Sequence, residues 1–377
     1  MLSLDSKQTT LTFEPNIFRD WSSLYSWFGH DMFIHGFRQA LGWGYTDVPF
    51  AWDGSRVTLY RATEEHVRGF FNVIIKRINE DPKFITTVAE KVVAEVAGLQ
   101  PFLASATPAE LQKLTNEELI AKLTKLEESV ITITPWFLIL MYFPQQLEIL
   151  GEVDRYRNDF DKAVTARGQV DKTLAPPSNA AAVALATEVL RRSGLPVADA
   201  RFLVPKEFQQ LLRDNLEPSI RDGIRASLEK RRTGWLITNE GISTQSIANF
   251  IASHGWELKL PENVIAETLF GQPSYRAPEV TGIARIIMNQ REIDKIQEGD
   301  ILVAPMTTPE YGPVFGKIKA IVTDEGGITC HAAIISRELK LPTIVGTKVA
   351  SQTIRNGDIV AVDTERGAVK IIKRATS

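Results

Sequence analysis

The stretch GGITCHAAIISR, residues 326–337, decides how the C-terminal part of the chain is expected to fold. A buried strand is predicted to end shortly before it, at Thr323, and the paired glycines allow the backbone to turn closely. Thr329 is placed to cap a helix over about Cys330–Leu339, because the apolar residues that follow give this segment one buried side. The pattern predicts a strand, a flexible loop and a helix, with His331 in the first turn of the helix.

His331 occupies a position with a definite chemistry. The first turn of a helix has backbone N–H groups without intrahelical partners and the positive end of the helix dipole, so it favours an anion. A neutral imidazole is a nucleophile, and its ordinary pKa of about 6.5 leaves it largely neutral at pH 7. A histidine here is therefore suited to carry a phosphoryl group. Geometry alone nevertheless favours the simpler alternative, a histidine that only forms a hydrogen bond near a helix start.

The stretch around His331 also resembles a family signature. Residues 326–337 are similar, without a break, to the phosphohistidine signature of the PEP-utilising enzymes, which include phosphoenolpyruvate synthase, pyruvate phosphate dikinase, enzyme I of the sugar phosphotransferase system and rifampin phosphotransferase. The segments that continue the resemblance are Glu338-Leu339, Leu341–Gly346, Gly299–Pro305 and Thr308–Glu310. This resemblance implies that residues 269–377 form the swivelling β/β/α mobile domain of that family.

The resemblance also implies roles for individual residues. His331 would be the phosphorylated catalytic nucleophile. The residues expected to form the phosphate environment are Gly326, Gly327, Thr329, Cys330 and Arg337. Among these, Cys330 is interpreted as a packing neighbour of the phosphate and not as a nucleophile. Arg337 lies about a turn and a half along the helix from His331, so a structural salt bridge and a phosphate contact are equally open for it.

The last 107 residues, 271–377, are predicted to form short strands around the single helix. They hold 10 of the 24 glycines but only three aromatic residues, a composition typical of β-branched strands joined by tight turns. The predicted strands are Asp300–Ala304, Lys319–Thr323, Pro342–Gly346 and a closing hairpin of Gly357–Asp363 with Gly367–Ile372. The segment Leu269–Pro273, which contains a glycine and a proline, is predicted to be the hinge before this domain.

Residues 1–268 are predicted to form a separate, mostly helical domain. All seven Trp and 29 of the 32 aromatic residues lie in residues 1–270. Helix starts are predicted at Thr107 and Thr115, where an acidic residue follows three positions later. Other predicted elements are helices over Leu216–Arg232 and Ser243–His254 and a loop over Ala175–Asn179. The expected fold class is multidomain, α and α/β: a mostly helical N-terminal domain and a C-terminal swivelling β/β/α phosphohistidine domain.

Charge and composition exclude several classes of protein. Lys and Arg total 43 and Asp and Glu total 46, so the net charge of −3 gives no basic excess for nucleic acid or an anionic membrane. Cys330 is the single cysteine, which excludes an intrachain disulfide and a cysteine-rich zinc site and fits the cytoplasm. Met1–Phe13 does not have the pattern of a signal peptide. The longest apolar run, Trp136–Phe143, is too short to span a bilayer and is interpreted as part of a buried core helix.

An acceptor site is predicted in the helical domain, within an aromatic-rich stretch over residues 21–52. Its candidate residues are Trp21, His30, His35 and Arg38. They rest on aromatic and cationic crowding, which core packing explains as well. His30 and His35 are five residues apart, whereas two metal ligands on one helix face are four apart, so no metal site is predicted.

The expected activity follows from the resemblance and from what residues 1–270 lack. The PEP-utilising enzymes pair the mobile domain with a phosphate donor module, an ATP-grasp domain or a PEP-binding TIM barrel. A barrel needs ~250 residues of alternating strand and helix, and no pattern of either module is found. We therefore expect a phosphotransferase component, similar to phosphoenolpyruvate synthase or to antibiotic phosphotransferases. It would take a phosphoryl group from a separate ATP-grasp or other nucleotide-binding partner and pass it to a small-molecule acceptor.

On this hypothesis ATP or PEP, with Mg²⁺, binds the partner and not this chain. Three alternatives stay open at this point. The chain is a non-catalytic ligand-binding relative, a scaffold subunit that docks a kinase-like partner, or a fragment of a longer enzyme similar to phosphoenolpyruvate synthase.

Overall fold

The computed structural model describes residues 11–19, 21–54, 56–213, 216–259, 267–288, 290–327 and 330–375. These residues form two compact units. The first comprises residues 11–14 and 21–259, and the second comprises residues 15–19 and 267–375. This division differs from the predicted boundary between residues 268 and 269, because a short N-terminal segment is counted with the second unit.

Helices make up most of the first unit. In chain order they are α1 Ser23–Asp31, α2 Phe37–Leu41, α3 Asn72–Glu80, α4 Phe84–Ala104, α5 Pro108–Leu111, α6 Asn116–Leu150, α7 Arg157–Val170, α8 Ala175–Arg192, α9 Pro205–Leu211, α10 Pro218–Arg231 and α11 Ile247–Ser253. The segments Met32–Gly36 and Glu65–Phe71 are π-helical and continue directly into α2 and α3. The segments Asp154–Tyr156 and Val197–Phe202 are 3₁₀-helical.

The predicted helix starts at Thr107 and Thr115 are confirmed. The Thr107 side chain accepts a hydrogen bond from the amide of Glu110, and Thr115 forms a reciprocal capping box with Glu118. The predicted loop over Ala175–Asn179 is wrong, because these residues form the first turn of α8. Their two prolines are tolerated there, since the amides of a first helical turn have no intrahelical acceptor.

A mixed sheet accompanies these helices, and the sequence patterns do not predict it. Its strands are β1 Thr12–Arg19, β2 Phe50–Trp52, β3 Val57–Ala62, β4 Trp235–Thr238, β5 Gly241–Ser243 and β6 Glu257–Leu258, in the order β5-β4-β2-β3-β1-β6. The helix predicted over Ser243–His254 is observed as the shorter α11. Ser243 ends a strand, Ser246 caps α11, and Gly255 follows α11 at a φ of +67°.

α6 runs through the interior of the first unit. By length and composition this 35-residue helix would suffice to cross a bilayer, but 67% of its apolar window is buried inside the structure. Such burial is typical of a helix that is apolar all round and lies in a protein core. The interpretation of Trp136–Phe143 as part of a buried core helix is confirmed, with Pro135 and Pro144 inside the same helix.

The second unit is built on one mixed sheet of eight strands. They are β7 Thr268–Phe270, β8 Gln272–Tyr275, β9 Val280–Ile286, β10 Ile301–Ala304, β11 Ala320–Thr323, β12 Thr343–Val345, β13 Ile359–Asp363 and β14 Ala368–Lys373, in the order β7-β14-β13-β9-β10-β11-β12-β8. Strands β9 to β12 are parallel, and the flanking strands pair antiparallel. The helices are α12 His331–Leu339 and α13 Ala350–Thr353, with 3₁₀ segments Gln290–Lys295 and Pro309–Val314. The predicted strands and the closing hairpin are confirmed.

The parallel centre of this sheet is buried on both faces, as parallel sheets usually are. In β10, Ile301 and Val303 face one hydrophobic cluster and Leu302 and Ala304 face the other. α13 packs on the first cluster and α12 on the second. The segments that follow β10 and β11 therefore emerge at the same edge of the sheet, where ligands bind in open α/β folds.

The predicted hinge over Leu269–Pro273 is wrong. Its residues belong to β7, which pairs with β14, and to β8, which pairs with β12, and Leu269 is buried. Gly271 is required there for packing, because an added Cβ would lie 2.7 Å from the carbonyl oxygen of Val345. Gly271 therefore allows the backbone to approach β12 closely. The glycine and proline that suggested a flexible hinge have a structural role in the sheet instead.

Asp358, just before β13, gives the second unit a pH-dependent contribution to stability. Its buried carboxylate accepts hydrogen bonds from the amides of Arg355 (2.9 Å) and Ala375 (2.8 Å) and from the guanidinium of Arg374 (2.9 Å). Burial raises the pKa of Asp358, but these donors outweigh burial and the net effect lowers its pKa. Its contribution to stability is therefore present above the unfolded-state pKa of about 3.9 and is lost as the pH falls through the lower folded-state pKa.

Replacing Asp358 with asparagine is expected to lower the free energy of unfolding by about 1–3 kcal/mol at pH 7, because several donors lose a charged acceptor. The loss should shrink as the pH falls below about 3.9, since the unfolded chain then takes up a proton that folded Asp358 binds only at a lower pH. Urea unfolding at pH 7, 5 and 3 measures both effects. Asp294→Asn, at an exposed carboxylate of the same unit, is the control and should change stability by less than about 0.5 kcal/mol. Equal effects of the two variants would contradict the assignment.

Candidate active site

α12 begins one residue later than predicted. His331 is its first residue, and Cys330 occupies the cap position without a side-chain capping hydrogen bond. Thr329, the predicted cap, lies outside the described residues. His331 still stands in the first turn of a nine-residue helix, where the backbone amides and the dipole favour an anion.

The imidazole of His331 is held by the segment that follows β10. Nδ1 lies 3.1 Å from the hydroxyl oxygen of Thr307, and Thr307 is only 3% exposed. The ring of Phe315 lies against the imidazole, with 6.1 Å between the ring centroids. When Nδ1–H donates to Thr307 Oγ1, the nucleophilic lone pair is on Nε2. A buried hydroxyl and an aromatic ring thus set the orientation of a partly exposed imidazole.

The loop between β11 and α12 is bonded where the structure describes it, although the sequence predicts a flexible loop. The carboxylate of Asp324 is buried and accepts hydrogen bonds from the amide (2.8 Å) and the hydroxyl of Ser351 on α13. The amide of Lys348 donates to the carbonyl of Asp324 (2.9 Å), and the amide of Glu325 donates to the carbonyl of Pro305 (2.9 Å). The loop is therefore tied both to the segment before Thr307 and to the segment after β12.

Two glycines of this loop region are required by backbone geometry. Gly326 has a φ of +119°, and an added Cβ would lie 2.7 Å from Cys330 Sγ. Gly346, which follows β12, has a φ of +72°, and an added Cβ would lie 2.8 Å from the carbonyl oxygen of Gly326. Such φ values are strained for any other residue. The glycines thus allow the loop, the cap of α12 and the end of β12 to pack closely.

Glu325, between the buried Asp324 and Gly326, is paired with Arg19. One guanidinium nitrogen of Arg19 lies 2.9 Å from each carboxylate oxygen of Glu325. Both side chains are largely buried, at 20% and 16% exposure, so this pair is screened less by solvent than a surface pair. The contact joins residues 306 positions apart, and no local sequence pattern indicates it.

Arg337 lies in the last turn of α12 and is exposed. Six residues along an α-helix correspond to about 9 Å of rise and a change of direction of about 120°. The helix therefore does not direct Arg337 towards His331. Its two predicted roles, a structural salt bridge and a phosphate contact, remain predictions.

Residues 296–367 match the family model described as "PEP-utilising enzyme, mobile domain". The second unit contains a PEP-utilising mobile domain. This match includes β10 to β12, α12 with His331, α13 and β13, the first strand of the closing hairpin, and so the resemblance stated from the sequence is confirmed. In this domain Thr307 and His331 come together with the loop of residues 324–327, called the glycine loop here.

Curated relatives resemble about a quarter of the chain closely. A probable phosphoenolpyruvate synthase of Archaeoglobus fulgidus is 54% identical over 89 residues, which are 24% of this chain and 12% of that protein. The phosphoenolpyruvate synthase of Pyrococcus furiosus is 48% identical over 106 residues, 28% of this chain and 12% of its own length. An uncharacterised phosphotransferase of Bacillus subtilis is 43% identical over 95 residues, 25% of this chain and 11% of its own length. The chain therefore matches only about an eighth of the length of these relatives.

The mobile domain places a nucleophile next to an anion-binding helix end. Nε2 is the nitrogen through which the imidazole can attack, given that Nδ1 is engaged by Thr307. Within the described ranges, no three His, Cys, Asp or Glu side chains are grouped to hold a metal ion. The arrangement suits nucleophilic attack on an electrophilic phosphorus atom.

Two of the predicted acceptor residues lie near each other in the first unit. Trp21 and His30 both lie beside Phe50, with ring centroids at 6.1 Å and 6.5 Å. His30 is buried, and its Nε2 lies 2.9 Å from a carboxylate oxygen of Asp47. The contact with Asp47 gives a structural reason for the buried imidazole of His30. No sequence pattern indicates this contact, because the two residues are 17 positions apart.

The other two predicted acceptor residues are exposed. His35 lies 3.4 Å from the carboxylate of Asp31, one turn earlier. Arg38 lies on α2 and donates a long hydrogen bond, 3.5 Å, to the carbonyl of Tyr45. His35 and Arg38 therefore contact other residues than Trp21 and His30 do. The acceptor site remains a prediction.

Thr307 is expected to be a positioning residue for His331 in the mobile domain. Thr307→Val keeps the shape of the side chain but removes the oxygen that holds Nδ1, so the rate of phosphorylation should fall about 10–100-fold. Thr307→Ser keeps the oxygen and should retain most of the rate. The pH dependence of labelling adds a second readout, because loss of the hydrogen bond changes which ring nitrogen carries the proton. Equal rates for the valine and serine variants would contradict this role.

Proposed function

We propose that this protein is a phosphotransferase component in which His331 carries a phosphoryl group. The observation that carries the proposal is the first-turn position of His331 on α12, with Nδ1 held by Thr307, inside a domain that matches the PEP-utilising mobile domain. This combination supports a nucleophilic function over the simpler alternative of a histidine that only forms a structural hydrogen bond.

The proposed cycle has two transfers. In the first, Nε2 of neutral His331 attacks the terminal phosphorus of the donor. The N–P bond forms as the P–O bond to the leaving group breaks, and the leaving group is ADP from ATP or enolpyruvate from PEP. In the second, a hydroxyl oxygen of the acceptor attacks the same phosphorus and the N–P bond breaks. The electron pair of that bond returns to Nε2, which regenerates neutral imidazole, and the acceptor's proton goes to solvent. The N-terminus of α12 stabilises the phosphoryl oxygens in both transfers.

The donor and acceptor partners follow from this cycle. The donor is a separate ATP-grasp or other nucleotide-binding protein, or a PEP-binding protein, which would also bind Mg²⁺. The acceptor is a small molecule, and Trp21, His30, His35 and Arg38 are its candidate contacts in the first unit. We place the reaction in the cytoplasm, where ATP and PEP are found and where the single cysteine stays reduced.

The test is phosphoryl transfer to the full chain. The protein is incubated with ³²P-labelled ATP, or with ³²P-labelled PEP, and a phosphoenolpyruvate synthase whose own phosphorylated histidine has been replaced by alanine. The expected label is acid-labile and alkali-stable, and it maps to a peptide that contains His331. A label that is stable in acid, or one that maps to another residue, would exclude the proposed intermediate.

A further inference from the structure

Arg61 is a buried cation in the first unit, where it lies among aromatic side chains. It lies on β3, is 9% exposed, and its Nη1 atom has no hydrogen-bond partner. Within the part of the chain that the structure describes, no carboxylate lies at ion-pairing distance from it. Buried arginines are usually paired, because an uncompensated buried charge is unfavourable by several kcal/mol.

The groups around Arg61 are neutral. Its guanidinium lies over the ring of Tyr142, 4.6 Å from the centroid, which makes a cation–π contact but supplies no counter-charge. The imidazole of His66 lies 4.9 Å from the same ring and 2.8 Å, at Nδ1, from the hydroxyl of Tyr45. Burial, with a further effect of Arg61, lowers the pKa of His66 to about 2, so the imidazole is neutral at pH 7. Burial raises the pKa of Tyr45, although Arg61 partly offsets this, so the phenol is neutral as well.

Glu65, four residues after Arg61 in the sequence, is engaged by Thr46. Its two carboxylate oxygens accept from the amide of Thr46 at 3.0 and 3.1 Å, and one also accepts from the Thr46 hydroxyl. Burial raises the pKa of Glu65, and its hydrogen bonds from Thr46 partly offset this. The cluster of Arg61, Tyr45, His66 and Tyr142 therefore holds one positive charge among neutral aromatic groups.

The backbone around this cluster is also unusual. The π-helical segment Glu65–Phe71 carries His66, and the π-helical segment Met32–Gly36 carries Phe33, whose ring lies 5.4 Å from that of Tyr45. π-helical turns are rare in proteins and occur frequently at functional sites. Each of the two π-helical segments thus contributes a residue that belongs to this buried cluster or contacts it. This observation does not depend on the missing ion-pair partner of Arg61.

We propose that Arg61 binds the carboxylate of a monoanionic, partly aromatic or apolar small molecule in the first unit. One guanidinium charge among neutral groups matches a single negative charge, and the planar guanidinium matches a planar carboxylate. A phosphate dianion would leave a surplus negative charge in the same surroundings. The rings of Tyr45, Tyr142 and Phe70 provide the apolar contact, with Phe70 5.9 Å from Tyr142. Nη1 is closed to solvent in this structure. The site does not depend on phosphorylation of His331.

The test compares carboxylates with their neutral amides on the full chain. Acetate, benzoate and 3-phenylpropionate, each matched with its amide, and inorganic phosphate are titrated while the melting temperature is followed. A monocarboxylate is expected to raise the melting temperature saturably, by about 3–6 °C at ten times its Kd, and its amide is expected to give no shift. Arg61→Met should abolish the shift, and its own melting temperature without ligand should equal or exceed that of the wild type, because an unpaired buried charge has been removed.

Two control variants separate this proposal from others. Arg155→Met removes an exposed arginine of the same unit and should keep the full shift. His331→Asn should also keep it, so failure of phosphoryl transfer would leave carboxylate binding intact. The proposal is overturned if no carboxylate gives a saturable shift, if phosphate or the amides shift the melting temperature equally, or if Arg61→Met keeps the shift. A lower melting temperature of Arg61→Met without ligand would show that the arginine is structural.

Discussion

Replacing His331 with asparagine is expected to abolish phosphoryl transfer to the protein. Asparagine keeps a polar group that can still bond to the Thr307 hydroxyl, but its amide nitrogen is not a nucleophile. The incorporated label should fall to background with either donor. The free energy of unfolding should change by no more than about 0.5 kcal/mol, since the imidazole is partly exposed and its hydrogen bond to Thr307 can be replaced.

A histidine of the first unit provides the control for this variant. His254→Asn alters a partly exposed imidazole that pairs with Glu240 at 3.3 Å and should leave labelling at the wild-type rate. Acid-labile label in His331→Asn at the wild-type level would mean that another side chain is the phosphoryl carrier. Unfolding of His331→Asn would instead give a lower melting temperature together with the loss, which the stability measurement detects.

Replacing Gly326 with alanine is expected to have the second-largest effect. A φ of +119° is strained for alanine by about 1–3 kcal/mol, and its Cβ would meet Cys330 Sγ at 2.7 Å. Cys330 occupies the N-cap position of α12. Relief of this contact is therefore expected to shift the end of the helix on which His331 lies. A displacement of about 1 Å in a reacting group is enough to reduce a rate about 100-fold, so labelling should fall by about 10–100-fold.

Gly316→Ala is the matched control in the same unit. Gly316 lies in open surroundings and has no left-handed φ, so an added methyl group should change neither the labelling rate nor the stability measurably. If Gly326→Ala and Gly316→Ala labelled equally fast, the geometry of the loop would be irrelevant to the reaction. Selective slowing of the first variant would tie the reactivity of His331 to the shape of its cap.

The second unit could be predicted from sequence to a large extent because its signals are local. Short β-branched strands between glycine turns and one amphipathic helix follow directly from neighbouring residues, and His331 falls in the predicted first turn. Its partner Thr307 could not be found in this way, since the contact depends on how β10 and β11 are paired in the sheet. The segment Leu269–Pro273 was predicted wrongly as a hinge because glycine serves both flexible linkers and close packing, and sequence alone does not separate the two.

The first unit shows the limit of local patterns more clearly. β2, β5 and β6 are two or three residues long, too short for an alternating pattern to be recognised. The prolines of Ala175–Asn179 fit a loop and a first helical turn equally well. The cluster around Arg61 draws on β3, a π-helical segment and α6, so its burial and its lack of a counter-ion exist only in three dimensions.

The segment of residues 15–19 has a consequence for any dissection of this chain. These residues are counted with the second unit, and Arg19 pairs there with Glu325 beside the glycine loop. A single cut near residue 260 would yield a C-terminal fragment that has His331 but lacks this arginine. A faithful minimal domain therefore needs both pieces. An affinity tag fused before Met1 would be separated by eleven residues from β1, the strand whose last residue, Arg19, pairs with Glu325.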